Sequence, residues 1–278
     1  MTKTVSVGKV KIGGKNPLAL IAGPCVIESQ QLLMDTAGEI QMICNRLKMS
    51  FIFKSSFTKD NRSSVDYFEG PGLEQGLEML AQVKRTFGVP ILSDVHNPTQ
   101  AEKAGVVLDV IQIPAYMSMQ TSLVLAAAHT GKVVNVKKGQ FLHPLDLHKV
   151  VKKIESTGNQ QILLTERGSS FGYHNLVVDM RALPMLRQSG YPVIFDITHS
   201  LRIYGVPSSD PQGGTPIFVP FLGRAGVAAG CDAVFIETHP DCKNALCDAS
   251  SMWPLQKLER LLTQLQEIDL VAKKWLED

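Results

Sequence analysis

Charged and thiol-bearing side chains follow directly after short apolar segments of this sequence. Cys25 follows "LALIAGP", Lys54 ends "SFIFK", and Lys137 ends "VVNVK". His199 and Glu237 lie just after, or at the end of, two further segments, "PVIFDI" and "DAVFIE". Thiolate, imidazole and carboxylate groups are ligands of divalent transition metals, whereas lysine binds phosphate and carboxylate groups. The sequence therefore carries the residue types for a metal site and for an anion site.

The cationic residues of this set are Lys54, Lys59, Arg62, Lys137 and Arg167. Several cations that converge in a nearly neutral protein indicate an anionic ligand, because lysine and arginine both suit phosphate or carboxylate oxygens. The stretch "KDNRSS" (59–64) adds an amide and two hydroxyls that suit phosphate. Taken alone, this stretch fits a solvated polar loop equally well.

The second set contains Cys25, His199, Glu237 and Asp248. Such a mixed donor set suits Zn²⁺, Fe²⁺ or Mn²⁺ with room for water or substrate, although its scattered spacing is not specific. Cys242 and Cys247 resemble half of a zinc ribbon, but no second pair completes it, so they are interpreted as loop cysteines. From its own position, Cys25 could be a buried apolar residue, a nucleophile or a metal ligand.

Composition narrows the class of protein. The 278 residues are 44% hydrophobic, and 28 basic against 26 acidic residues give a net charge of +2. This balance predicts neither a nucleic-acid nor a membrane partner. The first residues lack a signal-peptide pattern, and no apolar run has the length of a membrane span. Five cysteines, an odd count at irregular spacing, favour reduced thiols in the cytoplasm.

Eight short, β-branched apolar segments recur along the chain, separated by helical patterns. They span residues 18–23, 50–55, 90–95, 109–114, 133–138, 161–166, 192–197 and 232–237. Nearly continuous apolar strands are typical of a parallel sheet covered on both faces. Eight strand–helix units predict an α/β fold, the (β/α)₈ barrel, as one domain over residues 1–278. A doubly wound open sheet is the alternative, but no glycine-rich dinucleotide turn follows the first strand.

Two helices and a hairpin can be located within this scheme. Leu73, Leu77, Leu80 and Phe87 share one helical face. Leu255, Leu258, Leu262 and Leu265 do the same near the end, with Pro254 predicted in the first turn. The opening residues 1–14 alternate apolar and polar around a glycine, which predicts a β-hairpin that caps the amino-terminal end of the barrel.

Active sites of such barrels lie where the strands end and the following loops begin. Polar residues collect at these points: Cys25, Lys54, Asp94, His96, Gln112, Lys137, Lys138, Gln140, Glu166, Arg167, Asp196, His199, Glu237 and His239. Each alone could be a solvated or capping residue, but eight strands ending this way predict one active site. His129, His143 and His148 fall in predicted helices or helix starts and are assigned surface or capping roles.

Two long loops follow the last two predicted strands, over residues 200–219 and 239–252. Loops of this length in a compact domain are usually functional. We expect them to become ordered when substrates bind and to exclude water from the site.

Nine motifs give the chain an end-to-end resemblance to the 3-deoxy-D-manno-octulosonate 8-phosphate synthases. They are "GPCVIES", "FKSSFTKDNRSS", "GPGLEQGL", "SDVHNPTQ", "DVIQIPAY", "NVKKGQF", "TERGSSFGYHNLVVDM", "FDITHS" and "FIETHP". The related 3-deoxy-D-arabino-heptulosonate 7-phosphate synthases share the barrel and the Gly-Pro-Cys motif. They typically carry Lys-Pro-Arg-Thr where this chain has "KDNRS" (59–63).

The resemblance implies that phosphoenolpyruvate, D-arabinose 5-phosphate and water give the eight-carbon keto-acid phosphate and free phosphate, a step of lipopolysaccharide biosynthesis. It implies Lys54, Lys59, Lys137, His199 and Asp248 as catalytic residues. It further implies a substrate-binding set of Lys54, Ser56, Lys59, Asn61, Arg62, Ser63, Gln112, Lys137, Gln140 and Arg167. In this set Asn61, Arg62 and Ser63 would hold the sugar phosphate, and Lys54, Lys137 and Arg167 would hold phosphoenolpyruvate.

The resembled family has two classes, of which one uses a divalent metal and the other does not. The metal-using class has cysteine at the position of Cys25, so the resemblance implies Cys25, His199, Glu237 and Asp248 as ligands. Gly139 in "KKGQF" is also associated with that class, whereas Cys247 beside Asp248 is more typical of the metal-free class. A homotetramer is implied as well. The alternatives are a heptulosonate synthase using erythrose 4-phosphate, a sialic-acid-type synthase using a hexose, or a barrel that binds phospho-sugars without catalysis.

Overall fold

A two-stranded antiparallel hairpin opens the chain in the computed structural model, which describes residues 1–276. Val5–Val7 (β1) pairs with Val10–Ile12 (β2). Gly8 takes a left-handed φ of 57° in the turn between them, which is the conformation that glycine adopts without strain. The alternating pattern of the sequence places Val5, Val7, Val10 and Ile12 on the buried face. The predicted hairpin is confirmed.

Eight parallel strands then form a closed barrel. They are Ala19–Gly23 (β3), Phe51–Lys54 (β4), Ile91–Asp94 (β5), Val110–Ile113 (β6), Val133–Lys137 (β7), Ile162–Glu166 (β8), Val193–Asp196 (β11) and Ala233–His239 (β12). Each strand pairs in parallel with its neighbour, and β12 pairs with both β11 and β3, which closes the ring. All eight predicted strands are present within one or two residues of their predicted bounds, and the (β/α)₈ prediction is confirmed.

Helices connect the strands and cover the outside of the barrel. They are Gln30–Leu47 (α1), Leu73–Phe87 (α2), Pro98–Ala104 (α3), Thr121–His129 (α4), Leu147–Glu155 (α5), Ala182–Arg187 (α6), Val219–Ala228 (α7) and Leu258–Ala272 (α8). Ser29 begins α1, where its hydroxyl accepts a hydrogen bond from the Leu32 amide, as expected of an N-cap residue. No helix within residues 1–276 is long and apolar enough to cross a bilayer.

Two large apolar cores hold these layers together, beside a minor third cluster that contains Cys25 and Cys247. The larger core lies between the strands and the helices. The smaller core lies inside the barrel, where the four apolar residues of the hairpin pack against inward-facing residues such as Ile21, Ile52, Leu92 and Phe235. The hairpin therefore seals one end of the barrel, which leaves the opposite end for a binding site. That residues 1–278 form a single domain stays a prediction.

The structure adds detail that the sequence pattern did not indicate. A second hairpin, Ser169–Phe171 (β9) with Asn175–Val177 (β10), follows β8. Pro254 does not lie in the first turn of α8, so that prediction is wrong. It belongs to the short strand Trp253–Pro254 (β13), which pairs with the end of β12 and precedes a 3₁₀ turn and α8. The pairing with β12 holds Pro254 in extended backbone, outside the helix.

Candidate active site

A polar pocket lies at the carboxyl end of the barrel strands, opposite the hairpin. It is lined by Lys54, Ser56, Lys59, Asn61, Asp94, Gln112, Pro114, Ala115, Tyr116, Lys137, Gln140, Arg167, His199, Tyr204 and Glu237. The strands place these residues together because parallel strands of a barrel all end on the same face. Most of the charged members are nearly inaccessible to solvent. Buried charges are costly unless they are paired with opposite charges, and several such pairs are present in this pocket.

Lys137 ends β7 and forms a buried ion pair with Asp196 at the end of β11. Its Nζ lies 2.6 Å from Asp196 Oδ2 and 3.8 Å from the centroid of the Phe235 ring. Burial lowers the pKa of Lys137, although the negative charge of Asp196 opposes this shift. The pKa of Asp196 is held well below its usual range, since His199 and Lys137 outweigh the effect of its burial. The pair thus presents a fixed cation at the floor of the pocket.

Lys54, at the end of β4, has two buried partners. Its Nζ lies 2.6 Å from Glu237 Oε1 and 2.7 Å from the Cys25 carbonyl oxygen. Burial alone would lower the pKa of Lys54, but the charges of Glu237, Cys25 and Asp94 outweigh burial and raise it. Lys54 therefore stays charged and links the cationic group to the candidate metal ligands.

Arg167 completes the cationic side of the pocket. It is 4% exposed, and its Nη2 donates to the His199 carbonyl oxygen at 3.1 Å. Its Nη1 donates to the hydroxyl of Tyr204, which also accepts from Gln140 Nε2 at 2.6 Å. Lys54, Lys137, Gln140 and Arg167 thus line one pocket, as the sequence predicts. Three of these residues are fixed cations, which suits an anionic ligand.

The four predicted metal ligands converge at the side of this pocket. Asp248 Oδ2 lies 3.2 Å from Cys25 Sγ and 3.8 Å from His199 Nε2, and His199 Nε2 lies 3.4 Å from Glu237 Oε2. His199, Glu237 and Asp248 each offer a ligand atom within 4.8 Å of the others. Glu237 Oε2 is buried and has no hydrogen-bond partner within the described residues. The donor types and this unpaired oxygen fit a divalent transition metal.

The orientation of His199 is set by Asp196. Asp196 Oδ2 lies 2.8 Å from Nδ1, which turns Nε2 toward Glu237 and Asp248. A carboxylate behind a metal-binding imidazole commonly orients the ring in this way. Burial lowers the pKa of His199, so the neutral imidazole that metal binding requires is favoured.

Lys59 contacts two of the candidate ligands. Its Nζ lies 3.0 Å from Cys25 Sγ and 2.8 Å from Asp248 Oδ2. Burial would lower its pKa, but the charges of Asp248, Cys247 and Cys25 outweigh burial and raise it. Lys59 also lines the pocket, and its ammonium group compensates negative charge among the candidate ligands.

Asp248 and Cys247 lie on the loop after β12. Asp248 has a φ of 47°, an uncommon left-handed backbone for a residue with a side chain, and such outliers concentrate at functional sites. Cys247 also presents its sulfur within 4.8 Å of the ligand atoms of Cys25 and Asp248, so it is a second thiol close to the site. Cys25 is only 1% exposed, so it is a buried residue. Its Sγ nevertheless lies beside Asp248, another candidate ligand, so burial and a role as a ligand are compatible.

Only part of the loop at residues 61–63, to which the resemblance assigns the sugar phosphate, lines the pocket. Asn61 lines the pocket, whereas Arg62 and Ser63 do not. Arg62 Nη1 donates to the Lys59 carbonyl oxygen at 2.8 Å and lies 3.3 Å from Glu69. Ser63 is exposed to solvent. These two predicted residues are near the pocket along the chain but do not line it here.

Two other predicted residues lie inside the barrel mouth. Ser56 donates to Asp94 Oδ1 at 2.5 Å, and Asp94 Oδ2 lies 3.1 Å from His96 Nε2. Gln112 accepts from Asn135 Nδ2 at 2.9 Å. Ser56 and Gln112 are both buried, and both line the pocket. Each makes at least one side-chain hydrogen bond to another residue.

Sequence reasoning missed three residues of the site. Tyr116 and Tyr204 line the pocket, and Arg202 connects the two long loops. Arg202 Nη1 donates to Ser250 Oγ at 2.8 Å, and its Nε lies 3.6 Å from Asp248 Oδ1. Tyr116 lies two residues after the strand segment "DVIQIP" (109–114), which was a usable signal. Tyr204 and Arg202 lie in an irregular loop, where no periodicity indicates which side chains turn inward.

The surface or capping roles predicted for three histidines hold for His129 and His143, whereas His148 Nε2 is buried and has no hydrogen-bond partner within the described residues. His129 is the last residue of α4, exposed to solvent, and His148 lies in α5. His143 caps a 3₁₀ turn, where its ring nitrogen accepts from the Leu145 amide. None of these three lines the described pocket.

Comparison with known proteins supplies a family and named relatives. The protein-family model described as "DAHP synthetase I family" matches residues 2–274. Curated relatives from Geobacter sp. (strain M21) and Geotalea daltonii are named "2-dehydro-3-deoxyphosphooctonate aldolase". The first is 53% identical over 274 residues, 99% of this chain and 100% of the relative. The second is 53% identical over 273 residues, 98% of this chain and 100% of the relative.

Proposed function

The chain belongs to the DAHP synthetase I family, and we propose that within this family it catalyses the 2-dehydro-3-deoxyphosphooctonate aldolase reaction. This is the activity of a 3-deoxy-8-phosphooctulonate synthase, which condenses phosphoenolpyruvate with D-arabinose 5-phosphate and water. The observation that carries this conclusion is the 53% identity, over 99% of the chain, with a relative that bears that name. It favours the eight-carbon product over the heptulosonate alternative, although the family description alone would fit either.

We propose that phosphoenolpyruvate binds on the side of the pocket formed by Lys54, Lys137, Gln140 and Arg167. Three cations and an amide converge there from the ends of three strands, β4, β7 and β8. The substrate carries a phosphate and a carboxylate, so it needs more than one fixed cation to neutralise it. Because the cations are already paired and immobile, they need little reorganisation when negative charge develops on the leaving phosphate.

Bond formation follows from the placement of two substrates in one pocket. Carbon 3 of the enol attacks the sugar aldehyde, water adds at carbon 2, and cleavage of the carbon–oxygen bond releases phosphate. The protein contributes by holding two anions at close range, which removes the entropy cost of their encounter and compensates their repulsion. Lys54 and Lys59 both line the pocket, where they add positive charge between the two anionic substrates.

The sugar phosphate requires cations other than those that bind phosphoenolpyruvate. We assign it to Asn61, Arg62 and Ser63, which follow β4 on one loop. Arg62 is engaged with the Lys59 carbonyl oxygen and Glu69, so its guanidinium must exchange these contacts for phosphate oxygens. A phosphate offers arginine bidentate, charge-assisted hydrogen bonds, which are stronger than a bond to a neutral carbonyl oxygen, and the Glu69 side chain that it would also replace is mostly exposed to solvent.

A divalent ion is held, in this proposal, by Cys25, His199, Glu237 and Asp248, with Zn²⁺, Fe²⁺ and Mn²⁺ as candidates. When bound there, the ion supplies Lewis-acid polarisation of a substrate oxygen. Asp196 orients His199 for this role, and Lys59 compensates the negative charge of Asp248. Cys247 beside Asp248 gives the site an additional thiol.

Self-association to a homotetramer is the assembly that we propose. Its support is a patch of exposed apolar side chains on the β9–β10 hairpin and the start of α7. Tyr173 is fully exposed, and Phe218 and Phe221 pack against each other while each remains at least half exposed. Large exposed apolar patches commonly mark protein interfaces. The mass in solution tests this, since the tetramer has four times the 30.4 kDa of the chain.

A cytoplasmic location is proposed on the basis of the thiols. All five cysteines lie within the described residues and are free, including the close pair Cys25 and Cys247. Reduced thiols of this kind are maintained in a reducing compartment.

A competition between two sugars tests the reaction. Purified protein is given phosphoenolpyruvate together with D-arabinose 5-phosphate, D-erythrose 4-phosphate or both, and the products are identified by mass spectrometry. We expect the eight-carbon product to form preferentially. Preferential formation of the seven-carbon product, or release of phosphate without a carbon–carbon bond, would overturn the assignment.

A further inference from the structure

The hydroxyl oxygen of Tyr204 accepts hydrogen bonds from two buried side chains. Arg167 Nη1 and Gln140 Nε2 both donate to it, the latter at 2.6 Å. The Tyr116 ring packs edge-on against that of Tyr204 with 6.5 Å between the centroids. Burial and the neighbouring Tyr204 hydroxyl raise the pKa of Tyr116 to about 12, which is the direction expected when Tyr116 acts as the donor of the pair. A neutral phenol does not need a guanidinium donor. The arrangement is that of a site for a negatively charged oxygen.

The electrostatics at this position agree with the geometry. Burial would raise the pKa of Tyr204, but Arg167 and the other donors outweigh burial, and the pKa is lowered. The surroundings therefore favour negative charge on the oxygen that occupies this point. Arg167 and Gln140 are both at most 5% exposed, so water cannot easily take the place of an oxygen ligand.

We infer that the Tyr204 hydroxyl occupies the position of a substrate oxyanion, so that Tyr204 competes with the anionic substrate while Tyr116 donates to it. This inference rests on the proposed function, since it takes phosphoenolpyruvate as that anion. It assigns two neighbouring tyrosines opposite effects. Tyr204 occupies the donors of Arg167 and Gln140 and must leave when the anion binds, whereas Tyr116 stays and gains a charged partner.

The backbone around Tyr204 allows this exchange. Tyr204 lies in the long loop after β11, and its amide donates to the His174 carbonyl oxygen at 2.9 Å. Ile203 and Arg202 anchor the same loop through Gly213 and Ser250. The phenol can therefore turn away from Arg167 while neighbouring contacts hold the loop beside the site. A competing internal ligand reduces the apparent affinity by the fraction of molecules in which it is bound.

Two substitutions of equal size test the inference. Tyr204→Phe removes the competing oxygen, and Tyr116→Phe removes the proposed donor, each with loss of one oxygen atom and no change in ring. The probes are phosphoenolpyruvate and inorganic phosphate, titrated by calorimetry into the full-length protein. Because one hydrogen bond changes an equilibrium by a factor of about 3 to 10, we expect Tyr204→Phe to bind both probes about three- to tenfold more tightly. Tyr116→Phe should bind them more weakly by a similar factor.

Hydrogen exchange adds a measurement that affinity alone does not provide. In the free protein, Tyr204→Phe should exchange faster than the wild type over residues 200–219, because the loop has lost its contact with Arg167. In the wild type, phosphoenolpyruvate should change exchange in this segment. Thermal unfolding of both variants, compared with the wild type, identifies any general loss of structure.

The outcomes separate this inference from the proposed reaction. Equal or weaker binding by Tyr204→Phe overturns the competition, even if the wild type makes the eight-carbon product. Tighter binding by Tyr116→Phe overturns the donor role of Tyr116. A wild type that binds phosphoenolpyruvate but makes no product contradicts only the proposed reaction. A wild type that binds neither probe overturns both.

Discussion

The two ends of the barrel are built from the same eight strands but from opposite kinds of residue. At the amino-terminal end, β7 begins with Val133, in the core inside the barrel, and β11 begins with Val193, in the core between strands and helices. Both residues are buried. At the carboxyl end the same two strands finish with Lys137 and Asp196, which form a buried ion pair at 2.6 Å. The hairpin seals the first end, and the second end opens into the pocket.

This difference teaches how the barrel separates stability from chemistry. Burying apolar side chains stabilises a fold by about 25 cal/mol for each Å² removed from water. Burying charges costs several kcal/mol per ion unless each has a well-placed partner. The carboxyl end therefore gains little stability from its ion pairs, and we interpret them as groups kept for binding and catalysis. Substitutions at the two ends should consequently have different effects.

Lys137→Met should have the largest effect and tests the open end. We expect kcat/KM to fall by about 10²- to 10³-fold, as when one preorganised electrostatic group is removed. The free energy of unfolding should fall by about 3 kcal/mol, the lower end of the cost of breaking a buried pair. His199 Nδ1 still lies 2.8 Å from Asp196, which limits that cost.

Steady-state assays and urea unfolding measure the two effects. Lys152→Met is the matched control, since Lys152 is exposed on α5 and should change stability by less than about 0.5 kcal/mol. A Lys137→Met variant that keeps activity within tenfold of wild type would contradict the assignment of Lys137 to the anion pocket.

Ile12→Ala tests the sealed end. Ile12 is completely buried in the small core, so its truncation should lower the free energy of unfolding by about 2–5 kcal/mol. Because the pocket lies at the other end, kcat/KM should stay close to the wild-type value below the unfolding transition. Lys11→Ala, on the exposed face of the same strand, is the control and should leave stability nearly unchanged. Lost activity in a folded Ile12→Ala variant would show that the two ends are not independent.

Metal removal sharpens the comparison within the open end. After treatment with a chelator, we expect activity to fall by about tenfold or more, because the proposed ion polarises a reacting oxygen. Addition of Zn²⁺, Fe²⁺ or Mn²⁺ should restore it, while unfolding in urea should change little by comparison. Metal content is measured by mass spectrometry on the same samples. Full activity in protein verified to be free of metal would remove the ion from the proposal and leave the reaction intact.

Much of the fold could be predicted from the pattern of the sequence. The eight apolar segments gave the barrel strands within one or two residues, because strands buried on both faces leave a continuous apolar signature. The β9–β10 hairpin was not predicted, since its residues are mostly exposed and carry no apolar alternation. The last helix was predicted to begin too early, at Pro254, because the pairing of Pro254 with β12 is a tertiary contact that the local pattern does not show.

The sequence by itself showed which residue types lie at the strand ends. Its motifs also showed the resemblance to a known enzyme family. The sequence determined that Cys25, His199, Glu237 and Asp248 are of the right chemistry for a metal, and that lysine and arginine occur at several strand ends, which predicted an anion site. The reason is that side-chain chemistry and strand periodicity are local properties. They can be read without knowing which loops meet.

Only the tertiary structure decided which of these groups touch. It placed Lys59 between Cys25 and Asp248, brought Cys247 close to them, and turned Tyr204 toward Arg167 and Gln140. Tyr204 lies 37 residues from Arg167 along the chain, on an irregular loop with no periodic signal. Contacts of this kind depend on how loops from separate strands pack over one barrel end, and that packing has no signature in local sequence.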